Sequence, residues 1–95
     1  SVINKMGMDY PRVGDSLAEK AATAKRYGVP VNQVRPGSVV LTSENKENGH
    51  VAIIVGRNQQ GWILGESNYG LNGKVQYGRV IPYNSPNILG YINPQ

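Results

Sequence analysis

Two spacings divide the chain. Leu17, Ala21, Ala24 and Tyr27 recur every three to four residues, the period of one helix face. Ser16 and Glu19 stand before them at capping-box spacing, with Asp15 as a competing cap one residue earlier. Lys25 and Arg26 fall in the last turn, where they favour the helix dipole, and Gly28 followed by Pro30 ends the helix. Glu19, Lys20, Lys25 and Arg26 lie largely off the apolar stripe, and the small residues Ala21, Ala22 and Ala24 predict close packing on a sheet.

From Ser38 the pattern becomes that of strands. Runs over residues 38–42, 50–56, 62–66, 75–81 and 88–92 are separated by short segments rich in Asn, Gly, Pro or Ser. Short connections predict antiparallel neighbours. In the second run Val51, Ile53 and Val55 alternate with Ala52 and Ile54, so both faces are apolar and a central strand covered on both sides is expected. Residues 1–6 place Val2, Ile3 and Met6 on one helical face and end at Gly7. Six residues make a marginal helix alone, so they read as the tail of a longer one. The prediction is an α+β fold: N-terminal helices packed on a small, bent antiparallel sheet of about five strands, one domain over residues 1–95, with no internal repeat.

Composition narrows this picture without changing it. Twelve glycines and six prolines in 95 residues suit short elements joined by turns. There is no cysteine, which excludes disulfides, thiolate metal sites and a cysteine nucleophile carried by these residues. No apolar stretch approaches the length of a membrane span, and no signal peptide is visible. The net charge of +4 comes from scattered basic residues. Such a surface favours polyanions of several kinds, or is simply a solvated basic surface. Trp62 and six tyrosines could stack bases, but no sheet motif carries them and the charges are dispersed, which argues against nucleic acid.

The candidate chemistry lies in the second and third strands. His50 opens the run Gly49-His50-Val51-Ala52-Ile53-Ile54-Val55-Gly56, and Gly65-Glu66-Ser67-Asn68-Tyr69-Gly70 follows it. Alone, His50 reads equally as a hydrogen-bonded structural residue, and Glu66 as an edge carboxylate paired with a lysine. Glu66 and Asn68 are two apart, so an extended chain projects them from one face. His50 shares that face only if opposed residues have an even index sum, which demands an odd hairpin loop or a bulge. A three-residue loop, Gln59-Gln60-Gly61, meets the condition and pairs Asn58 with Trp62, and a five-residue loop from Arg57 to Gly61 meets it as well. An imidazole beside a carboxylate and an amide is the base-and-orienter half of a nucleophilic site.

These two motifs resemble the CHAP family (cysteine, histidine-dependent amidohydrolases/peptidases) of papain-like peptidoglycan hydrolases. Gly14-Asp15 with the Ala-rich helix, Val34-Arg35-Pro36-Gly37-Ser38-Val39-Val40 and Gly90-Tyr91-Ile92 extend the similarity over most of the chain from Gly14. The resemblance implies hydrolysis of an amide bond in peptidoglycan, by an N-acetylmuramoyl-L-alanine amidase or a cross-bridge endopeptidase. It makes His50 the general base and acid, Glu66 its orienter and Asn68 a supporting polar group. It requires no cofactor and no metal for the chemistry, although some relatives bind calcium, and no EF-hand-like loop is visible here. It also implies a secreted, wall-associated or phage-particle setting with the bacterial cell wall as partner. The family's cysteine opens the helix assigned to residues 1–6 and would fall upstream of Ser1. An N-terminal serine nucleophile aligns poorly. The expectation is therefore a trimmed or processed chain completed by an upstream segment or a second chain, or else a non-catalytic wall-binding or structural module.

Overall fold

The computed structural model describes residues 9–67 and 74–95. Their elements are helix α1 (Leu17–Tyr27), a single 3-10 turn (Val31–Gln33), and strands β1 (Val39–Thr42), β2 (His50–Arg57), β3 (Gly61–Ser67), β4 (Val75–Pro82) and β5 (Ile88–Ile92). The strands form one sheet in the order β4-β3-β2-β1-β5, every neighbouring pair antiparallel. The fold is α+β with β2 at the centre. Of the N-terminal helices expected, α1 is the one that falls among the described residues, where it is the only α-helix. The helix expected over residues 1–6 lies outside them.

Helix α1 begins as its sequence dictates. The Glu19 amide donates to Ser16 Oγ at 3.0 Å, and the Ser16 amide donates back to Glu19 Oε1 at 3.4 Å. The buried face, however, is rotated from the apolar stripe: Lys20 and Thr23 are buried, while Ala21 and Ala22 are exposed and Tyr27 is 39% exposed. The preceding loop wraps that face and supplies acceptors. Lys20 Nζ donates to the Gly14 and Asp15 carbonyls, both at 2.9 Å, and the Thr23 hydroxyl reaches the Arg12 carbonyl at 3.3 Å. An amphipathic lysine stem can line apolar surface once its ammonium is satisfied. Of the three alanines only Ala24 makes the close approach. A Cβ at Gly90 on β5 would lie 2.9 Å from the Ala24 Cβ.

The sheet has two apolar faces, as the alternation in β2 requires. Val39, Leu41 and Ile92 pack with Ala24, Val13 and Tyr10 on the helix side. Val40, Ala52, Ile54, Trp62, Leu64 and Ile81 form the other core. On that second face Trp62 Nε1 donates to Tyr91 Oη at 3.1 Å, with ring centroids 5.7 Å apart. Strands β3 and β5 are separated by β2 and β1, about 14 Å for a flat sheet. The sheet therefore curls until these two rings meet.

The β2–β3 hairpin departs from the expected turn. Arg57, not Asn58, opposes Trp62, and the Asn58 amide donates to the Gly61 carbonyl at 3.0 Å, leaving Gln59-Gln60 as a two-residue turn. Asn58 Oδ1 organises it by accepting from the Gln60 and Gly61 amides at 2.8 and 3.1 Å. An even loop by itself would put His50 and Glu66 on opposite faces. A bulge at Val55 reverses that result: Gly56 opposes Ile63, but Ile54 opposes Leu64 and Ile53 opposes Gly65. One extra residue in β2 restores the even sum, and His50 and Glu66 share the face of Ala52, Ile54 and Leu64.

Candidate functional site

His50 begins β2 opposite Thr42. The backbone before it turns through Gly49, whose φ of +68° lies in the left-handed region and whose missing Cβ would sit 2.8 Å from the Thr42 carbonyl oxygen and 2.9 Å from Lys20 Cδ. Only glycine combines that conformation with that clearance. The loop leading there is tied to α1, since the Leu17 amide donates to the Glu47 carbonyl at 3.3 Å. Asn45 holds the same loop together, its Oδ1 accepting from the Glu47 and Asn48 amides at 3.0 and 3.1 Å. The histidine thus projects from a braced strand start.

The imidazole meets the predicted carboxylate. His50 Nε2 lies 2.7 Å from Glu66 Oε1, with the side chains 22% and 9% exposed. Asn68, the third candidate, lies outside the described residues.

Two further residues that the sequence reading did not assign to the site complete its charge. Arg79 on β4 donates from Nε to Glu66 Oε2 at 2.7 Å and from Nη2 to Glu66 Oε1 at 2.8 Å. Its other edge donates to Glu44, from Nη1 to Oε2 at 2.7 Å and from Nη2 to Oε1 at 2.9 Å. Glu44 Oε1 also accepts from the Thr42 hydroxyl at 3.1 Å. Glu66 is therefore paired with an arginine rather than a lysine. The bonds from Arg79 hold the Glu66 carboxyl below the ordinary carboxylate range, against the opposing effect of burial and with help from His50. Glu44 is lowered chiefly by the same arginine, and Arg79 is raised chiefly by Glu66 and then by Glu44.

A second bulge delivers Arg79. Arg79 opposes Leu64, whereas Tyr77 opposes Gly65 and Gln76 opposes Glu66, leaving Gly78 unpaired at φ +110°. Strict alternation from Gln76 would send Arg79 to the face of Tyr77. The bulge turns both Gln76 and Arg79 toward Glu66. A single arginine among scattered basic residues gave no sign of this; the glycine two residues after Gln76 was the available signal.

Around these side chains lies an open cleft of about 680 Å³, lined by Glu44, Asn45, His50, Glu66, Gln76, Tyr77, Gly78 and Arg79. An ionised carboxylate only accepts hydrogen bonds, so with the ring neutral Nε2 carries the proton and Nδ1 keeps the lone pair. The arrangement can orient an imidazole and accept a proton at Nδ1. Among the described residues no group of three or more His, Cys, Asp or Glu side chains is placed to hold a metal ion, and no helix is long and apolar enough to cross a membrane. Comparison of the chain with protein-family models, with curated proteins and with solved structures finds no match.

Proposed function

We propose that this chain carries the histidine–glutamate half of a CHAP-type peptidoglycan amide hydrolase, an amidase or a cross-bridge endopeptidase. In this reading the nucleophilic thiol comes from polypeptide outside these 95 residues, upstream or on a second chain. The observation that carries the reading is the 2.7 Å contact between His50 Nε2 and Glu66 Oε1 at the edge of an open cleft. In such a site His50 takes the thiol proton at Nδ1, Glu66 stabilises the resulting imidazolium, and the same ring returns the proton to the leaving amine. Asn68 would support the ring from the segment after β3. Bacterial cell wall is the proposed partner, in a secreted, wall-associated or phage-particle setting.

The test is release of soluble fragments from purified peptidoglycan by the chain joined to its upstream segment. Hydrolysis is expected, with His50→Ala lowering the rate at least about 100-fold, the usual lower bound for losing a general base. Hydrolysis unaffected by His50→Ala would remove His50 from the chemistry. The second reading is a wall-binding or structural module that keeps the fold without turnover. Co-sedimentation with peptidoglycan and no hydrolysis by the longer chain would select it.

A further inference from the structure

We infer that Arg79 is a positioning residue that selects which nitrogen of His50 is basic, acting through Glu66. The inference rests on the reading of His50 as a base, yet it concerns a property of this chain that can be measured without any nucleophile. Glu66 Oε1 is shared by two donors, His50 Nε2 at 2.7 Å and Arg79 Nη2 at 2.8 Å, while Oε2 is held by Arg79 Nε at 2.7 Å. Two parallel bonds from a rigid guanidinium fix the plane of the carboxylate as well as its charge. The guanidinium is itself fixed at its far edge by Glu44 and at its base by the Gly78 bulge.

Consider the same carboxyl without that fork. Glu66 is largely buried, and burial by itself favours its neutral form. A carboxyl that takes up a proton from water becomes a hydrogen-bond donor, and its nearest acceptor is His50 Nε2. Donation there would leave Nε2 as the acceptor and put the ring hydrogen on Nδ1, the nitrogen the proposed chemistry needs free. Arg79 blocks this state twice, by keeping Glu66 ionised and by occupying both of its oxygens. A lysine would supply the charge without the planar fork, so it would restrain the carboxylate less.

The chain contains one histidine, so long-range ¹H–¹⁵N spectra of its imidazole report His50 alone. The spectra are taken on the 95-residue chain at a pH where the ring is neutral. The wild type should show the Nε2–H form. Arg79→Gln should shift the ratio of the two neutral forms toward Nδ1–H by about tenfold, equivalent to roughly 1.4 kcal/mol, with Arg79→Lys intermediate. Glu66→Gln, which removes the acceptor-only group, serves as the control. If Glu66→Gln changes the ratio while Arg79→Gln and Arg79→Lys leave it within about twofold, Arg79 is only a structural ion-pair partner and the inference is overturned. If none of the three changes it, Glu66 does not orient His50 and the reading of the pair as base and orienter fails as well. Should Arg79→Gln not fold, as judged from amide dispersion, Arg79→Lys keeps the charge and decides the question.

Discussion

At the scale of single residues, the site is a charge cluster with a defined pH response. Glu44 and Glu66 are both held below the ordinary value of 4.5 in the folded chain, Arg79 being the main cause for each. A lowered carboxyl stabilises the fold above its unfolded value and loses that contribution as pH falls through the folded one. Thermal unfolding followed by circular dichroism should therefore show a midpoint insensitive to these groups above about pH 5 and declining below about 4.5. Arg79→Gln should lower the neutral-pH midpoint and flatten the acid decline, because both shifts share that partner. An acid decline identical in wild type and variant would contradict the assignment. Partial exposure of the arginine keeps the effect modest. His50 and Glu66 were legible as a pair because residue type and spacing alone suggest them. Arg79 and Glu44 were not, since they join the site through strand pairing between segments with no shared motif.

At the scale of elements, two bulges aim the side chains. The hairpin turn was misassigned by one residue, yet the face shared by His50 and Glu66 was correctly required, because the parity condition allowed a bulge and Val55 supplies it. In β4 the bulge rests on Gly78 at φ +110°, where an added Cβ would meet nothing within 4 Å. Gly49 also has positive φ, at +68°, but its Cβ would collide with the Thr42 carbonyl. The two glycines should therefore respond differently to alanine. Gly78→Ala costs only the conformational penalty, about 1–2 kcal/mol, whereas Gly49→Ala adds a backbone clash and should cost clearly more in denaturant unfolding. Equal costs would show that the Gly49 contact relaxes freely. Helix α1 illustrates the complementary limit of periodicity. Its cap and ends followed from sequence, but its buried face includes Lys20, because carbonyls of a neighbouring loop satisfy the ammonium.

Over the whole molecule, the curl of the sheet depends on contacts between strands that are not neighbours. Trp62, 3% exposed and the sole tryptophan, donates to Tyr91 across the curled face. Tyr91→Phe keeps the ring contact and leaves the indole N–H without that acceptor, at a cost of about 1–3 kcal/mol for a buried donor left unpaired. Tryptophan fluorescence should report the lower unfolding midpoint directly. A midpoint unchanged from the wild type would mean that the bond does not hold the curl.

The sequence by itself determined the helix and its cap, the five strands, the central place of β2, and the histidine and carboxylate as candidates. Each follows from local period, turn chemistry and side-chain type, which act over a few residues. The tertiary structure alone decided which face His50 and Glu66 share, which cation holds Glu66, and which side of α1 is buried. Those outcomes depend on bulges and loop carbonyls, where one inserted residue reverses a strand face and one distant acceptor makes a lysine an inside residue.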